Sequence, residues 1–207
     1  VGGERRDEGL RGAAEVGFVR GYDDYQLENA RDPLAYHGVA LLDARGGGNV
    51  KAMAKAFKSL CYDVSVLADG DAEHQFSPAD DAELVDLGIP VIVWSEKLCL
   101  EGRAAHDLPW AYVLASLKLA RDELGYPVRD QVLSKFAGQL DQDFGAWVET
   151  VELRTAIGTA SNKSGWFKDT TRGDLWFKAI CPAFQDATFS KKNLALELGK
   201  LWEWVER

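Results

Sequence analysis

The chain reads as an α/β protein, a parallel sheet flanked by helices with an α-helical subdomain added after it. Three observations predict this. In the first half, short apolar runs alternate with helix-length patterns, the rhythm of strands joined by crossover helices. After Trp94 the strand signal nearly vanishes and helical periodicity takes over. A hydrophobic content of 46%, with 11% aromatic residues over 207 positions, is ample for a packed core.

Residues 15–29 hold Val16, Val19, Tyr22, Tyr25 and Leu27 at helical spacing until a polar run over 28–32 breaks it. Residues 38–43 (GVALLD) form an uninterrupted apolar run that predicts a buried strand. Residues 49–60 follow as a lysine-faced helix with Met53, Ala54, Phe57 and Leu60 inward. A second strand is predicted over 63–69 (DVSVLAD), a short helix over 80–87 and a third strand over 89–94 (IPVIVW). Helices are then predicted over 98–105, 110–124, 128–140, 144–160 and 193–205. Asp107-Leu108-Pro109, Gly125-Tyr126-Pro127 and Asp141-Gln142-Asp143 punctuate them as turns or caps.

No stretch approaches the roughly 18 uncharged apolar residues of a membrane span. Residues 1–8 have neither the basic region nor the apolar run of a secretory signal, so a cytoplasmic protein without a membrane partner is expected. Cys61, Cys99 and Cys181 are odd in number and widely spaced, which argues against a disulfide framework and a structural zinc site. Net charge is −9, on its face unfavourable for nucleic acid. From Val151 onward, however, nine basic residues face seven acidic ones, so that stretch is at +2 and the remainder at −11. Acids that hold metal ions would mask part of the remainder.

Several motifs carry chemistry. The run 38–43 ends in Asp43 and enters Gly46-Gly47-Gly48-Asn49, a turn that permits close approach of a phosphate or of another backbone. No P-loop pattern occurs, and the G-x-G-x-x-G dinucleotide pattern fails after this strand. The next apolar run ends in Asp69-Gly70-Asp71. Acids at alternate positions of an extended chain point the same way and can share a divalent cation, although a strand-end acid is also a common helix cap. Glu101 stands in an otherwise apolar turn, Leu98-Cys99-Leu100-Glu101. Lys168, in Gly165-Trp166-Phe167-Lys168, has aromatic neighbours that could keep an ammonium partly dry beside a phosphate. Lys178 is its rival, since Trp176-Phe177-Lys178 repeats the tripeptide ten residues on. His37, His74 and His106 lack zinc-ligand spacing, and no serine sits in a G-x-S-x-G elbow, which argues against hydrolase triad chemistry.

Taken in order, Ala14-Glu15-Val16-Gly17-Phe18, GVALLDARGGGN, VSVLADGDA, LCLEGRAAHDLPW and TAIGTASNKSGWFK resemble the Toprim-containing C-terminal region of the overcoming-lysogenization-defect (OLD) family of nucleases, class-two branch. The resemblance covers most of the chain. It implies a Toprim-like parallel sheet with helices on both faces over residues 1–104, a helical subdomain over 105–160, and a segment over 161–207 that returns a lysine to the active site before a closing helix. It also implies metal-binding acids at Glu15, Asp69, Asp71 and Glu101, a catalytic Lys168, and support from Asp43, Gly46, Gly47 and Gly48. One departure stands out: the family's first motif glutamate falls at Arg11, with Glu4 and Glu8 as substitutes in another register.

The activity implied is a metal-dependent DNA endonuclease with two Mg2+ or Mn2+ ions, one on Glu15 with Asp69 and one on Asp71 with Glu101. Ca2+ is able to occupy the sites without supporting turnover well. The partners implied are DNA, the N-terminal ATPase domain that family members carry and this chain lacks, and a helicase. Two other readings stand beside it. Clustered aspartates at strand ends with a lysine also describe a receiver-like phosphoacceptor module, and Arg11 with the basic tail describes a catalytically silent DNA-binding scaffold.

Overall fold

The computed structural model describes residues 13–71 and 73–207. Helix α1 spans Ala13–Glu28 and α2 spans Gly47–Ser59, then β1 (Val66–Ala68), α3 (Pro78–Asp86) and β2 (Val91–Val93) follow. The remainder is helical: α4 (Leu100–Asp107), α5 (Trp110–Lys118), α6 (Val128–Leu133), α7 (Val151–Ser164), α8 (Thr170–Ile180) and α9 (Asn193–Val205).

The sheet is smaller than the sequence predicts. Among the described residues it holds two parallel strands, with Val66 opposite Val91, Leu67 opposite Ile92 and Ala68 opposite Val93. Residues 38–43 do not form a strand in it. They lie alongside as coil, because no neighbour among the described residues supplies the backbone partners that a ladder needs. Two predicted helices are also shorter. Residues 128–140 are helical only to Leu133, and 144–160 divides into a short 3-10 turn, Phe144–Ala146, and α7. At that break Asp143 caps the 3-10 turn through Gly145 N–H, and Thr150 caps α7 through Leu153 N–H.

Each helix has a local cause. Helix α3 opens on a reciprocal capping box, in which the Ser77 hydroxyl accepts from Asp80 N–H at 3.2 Å and the Asp80 carboxylate accepts from Ser77 N–H at 2.9 Å. Ser77→Ala removes one half of that exchange and is expected to cost about 1 kcal/mol in denaturant unfolding. Helix α8, absent from the sequence prediction, begins at an Asp169 cap on Arg172 N–H at 2.8 Å. It buries Gly173, Trp176, Phe177 and Ile180, a helical stripe.

Two apolar cores result. The larger draws on α1, β2 and α4 through α9 and is rich in rings. The two Trp-Phe-Lys tripeptides meet inside it, where Phe167 stacks on Trp176 at 4.4 Å between centroids while Phe18 meets Trp176 and Phe177 edge-on. The indole N–H groups of the two tripeptides find partners, Trp166 on Gln131 and Trp176 on Ser116, whereas those of Trp94 and Trp202 in the same core are buried without one among the described residues. The smaller core gathers Ala54, Val66, Ala68, Phe76, Leu84 and Ile89 between α2, α3 and β1. Among the described residues, no helix is long and apolar enough to cross a membrane.

Candidate active site

Beyond the carboxyl end of β1 the chain makes a turn that depends on glycine. A Cβ on Gly70 would collide with the Trp94 carbonyl oxygen and stand 3.1 Å from that of Leu98. The close approach lets Gly70 N–H donate to Leu98 at 2.8 Å, tying the Asp-Gly-Asp turn to the loop that starts α4. The neighbouring Asp69 carboxylate accepts from Leu100 N–H at 3.0 Å. It thereby serves as a helix cap for α4 from a distant strand, since the local N-cap, Cys99, makes no side-chain bond.

That turn brings together four groups distant in sequence. Glu15 comes from the first turn of α1 and Glu101 from the first turn of α4, while Lys168 lies between α7 and α8. Glu101 is fully buried as a side chain, and its Oε1 lies 3.3 Å from Lys168 Nζ, whose side chain is 25% exposed. The contact is an ion pair without hydrogen-bond alignment, so both Glu101 oxygens, like Glu15 Oε2, are buried without a hydrogen-bond partner. Burial first, then the Glu101 charge, pushes the Glu15 carboxyl up. Burial first, then the charges of Glu15, Glu101 and Asp71, holds Asp69 well above the usual carboxylate range. Burial works against the Lys168 ammonium, but Glu101, Asp69 and Glu15 outweigh it and its pKa is raised. The Cys99 thiol alongside is pushed up by burial and by the Glu101 charge.

Asp71 does not point with Asp69. The strand ends at Ala68, so the alternation of an extended chain no longer governs the turn. Asp71 is exposed and accepts from Asn162 Nδ2 of α7 at 3.3 Å. Asn162, with the buried and unpartnered Ser161 hydroxyl beside it, belongs to the neighbourhood of the site. The sequence signal for the pair is two polar residues directly after the small-residue TAIGTA stretch, 155–160, of α7. The rival lysine is elsewhere: Lys178 pairs with Asp24 and Asp174 on the surface. Asp43 accepts from Arg45 N–H at 2.7 Å and adds its charge to the field on Glu15. Gly46, at φ 115°, opens α2, and Gly47 N–H donates to Gln75 Oε1 at 3.2 Å, whereas a Cβ on Gly48 would meet nothing. Arg11, Glu4 and Glu8 lie outside the described residues.

Among the described residues, no three His, Cys, Asp or Glu side chains form a ready-made cation cage. The chemistry of the donors nevertheless suits a hard divalent cation, because three buried carboxylate oxygens lack a hydrogen-bond partner and clustered acids of raised pKa gain most from a positive neighbour. Neither a family model, nor a curated protein, nor a solved structure matches this chain.

Proposed function

We propose that this chain is a metal-dependent DNA endonuclease, the nuclease region of an OLD-type protein, with Mg2+ or Mn2+ as cofactor. The observation that carries the reading is the convergence of Glu15, Asp69 and Glu101 on Lys168 at the carboxyl edge of a parallel sheet, where open α/β folds do their chemistry. Isolated buried acids are costly unless something positive is to be received.

In this reading Glu15 with Asp69, and Asp71 with Glu101, are the donor pairs for two ions. Bound there, the ions supply Lewis-acid stabilisation of phosphate oxygens and lower the pKa of a water. The chain's own residues orient the rest. Leu100 N–H fixes one Asp69 oxygen and leaves the other free. Asn162 donates to Asp71 at the exposed rim of the turn, the position from which Asp71 would have to swing in to share an ion with Glu101. Lys168 carries a permanent charge to the place where a phosphate would gain negative charge. The partners of the reading are DNA, an ATPase domain and a helicase.

The test is nicking of supercoiled plasmid in Mg2+ and in Mn2+. The parent chain is expected to relax the plasmid, while Asp69→Ala and Asp71→Ala each slow it by about 100-fold or more. Equal rates for parent and variants would refute the site. Salt-sensitive DNA binding with no metal-stimulated nicking by the parent would identify a silent scaffold instead.

A further inference from the structure

Arg103 is 3% exposed and takes no part in the proposed chemistry. It stands two residues after Glu101 in α4, so the two side chains leave the helix about 200° apart. Glu101 faces Lys168, and Arg103 faces the loop that joins β2 to α4. The guanidinium divides its donors between two directions. Nη1 donates to Ser95 Oγ at 3.0 Å and to Glu96 Oε2 at 2.9 Å, while Nη2 donates to Asp107 Oδ1 at 3.0 Å. Asp107 is buried as well, and its second oxygen accepts from Leu194 N–H at 2.7 Å in the first turn of α9, where the N-cap Lys192 makes no side-chain bond. Asn193 Nδ2 also donates to Ser95 Oγ, at 3.0 Å. Helices α4 and α9 therefore anchor Arg103 from behind, and Arg103 holds the loop in front. A buried polar network of this kind adds little to net stability, but a satisfied one fixes geometry.

The loop needs a hold. Glu96 and Lys97 are both left-handed, at φ 61° and 56°. There the Cβ of an L-residue crowds the following carbonyl, and such a conformation persists only where the surroundings impose it. Lys97 Nζ pairs with Glu73 at 3.0 Å, but both side chains are half exposed or more, and a surface pair holds weakly. Glu96 is exposed too, yet its partner is a fixed cation, since the Arg103 side chain is only 4% exposed. The residues on either side of the left-handed pair grip the acidic turn. Trp94 and Leu98 bring their carbonyls against Gly70, and two residues further on Leu100 N–H donates to Asp69. Glu101 follows directly. The distance between Asp69 and Glu101 thus depends on a loop that Arg103 shapes.

We propose that Arg103 is a positioning residue for the candidate active site. Through Ser95 and Glu96 it keeps the left-handed loop in shape, and through that loop it keeps Gly70 on Leu98 and Asp69 on Leu100, so that Asp69 and Glu101 stand ready as oxygen donors. It touches neither acid of the site. Groups that orient metal ligands from outside are worth much of a site's affinity, and here the orientation runs through backbone rather than through a direct bond to the ligand. The inference rests on the nuclease reading for the use of the site, while the geometry it describes is independent of that reading.

The test compares the parent chain with Arg103→Lys, which keeps a charge against Asp107 but loses the fork, and with Glu96→Ala, whose side chain is 69% exposed and outside both cores. Amide hydrogen exchange is followed without added metal. Exchange at Gly70 and Leu100 is expected to quicken about tenfold in Arg103→Lys and about threefold in Glu96→Ala, with Ile157, buried in α7, unchanged. In plasmid nicking, Arg103→Lys is expected to raise the Mn2+ concentration at half-maximal rate about tenfold, with the rate at saturating Mn2+ within about twofold of the parent's. A smaller folded fraction does not give that pattern. Unchanged exchange at Gly70 and Leu100, equal quickening at Ile157, or an Mn2+ dependence equal to that of an active parent overturns the proposal. Should Arg103→Lys fail to fold, Glu96→Ala decides. A parent chain that never nicks plasmid refutes the nuclease reading instead, and the exchange rates then judge the positioning role by themselves.

Discussion

Lys168→Met is expected to destabilise the fold by about 3 kcal/mol, the cost of leaving one member of a buried ion pair without its partner. For a chain of this size that corresponds to a fall in Tm of about 6 to 12 °C. The reason lies in what Lys168 neutralises. Glu101 has a fully buried side chain with neither oxygen hydrogen-bonded, and Lys168 Nζ at 3.3 Å is its counter-charge. Glu15 and Asp69 stand in the same field, both already raised by burial and by their neighbours' charges, so removal of the ammonium leaves three acids repelling one another. Methionine keeps most of the aliphatic stem and its packing, which isolates the charge. The double variant Lys168→Met with Glu101→Gln removes both partners and is expected to recover most of the loss, since the net worth of a buried pair is far smaller than the cost of halving it. Additive losses in thermal melts would show that Lys168 supports the fold by packing alone.

The helices were legible where caps and apolar stripes coincide. Residues 15–29 and 193–205 carry their periodicity openly, and α1 and α9 lie there. Helix α8 carries an equally readable signal, an aspartate cap followed by Gly173, Trp176, Phe177 and Ile180. It is masked by the second Trp-Phe-Lys, which draws attention to a lysine rather than to the ring packing that the repeat serves. The run 38–43 has the composition of a buried strand, but strand formation is settled by a neighbour's backbone, and composition carries no information on whether that neighbour is present. The acids divide in the same way. The Asp-Gly-Asp turn was visible as carboxylates at the end of an apolar run, but the divergence of Asp71 from Asp69 depends on where β1 ends, at Ala68. That Glu15, Glu101 and Lys168 share one site depends on tertiary packing, and no local spacing in the sequence encodes it.

Gly17→Ala is expected to cost about 3 kcal/mol, the upper part of the range for overpacking, because nothing near it can yield. Helices α1 and α8 cross with Gly17 facing Thr170 and Gly173 facing Ala14. A Cβ on Gly17 would collide with the Thr170 carbonyl oxygen and stand 2.8 Å from its carbonyl carbon. A Cβ on Gly173 would strike the Ala14 carbonyl oxygen and lie 3.1 Å from Phe18 N. These are backbone atoms, so one methyl must push whole helices apart, and Phe18 then loses its ring contacts with Trp176 and Phe177. Gly199→Ala is the control. It lies within α9, an added Cβ meets nothing there, and helix propensity alone predicts a gain of about 0.5 to 1 kcal/mol. Urea unfolding of the two variants should therefore shift in opposite directions, and a neutral Gly17→Ala would mean that the helices are not held in contact at all. The crossing also bears on chemistry. Glu15 stands two residues before Gly17 and Lys168 two before Thr170, so the contact that admits only hydrogen at Gly17 also sets how near the first acid of the cluster stands to its lysine.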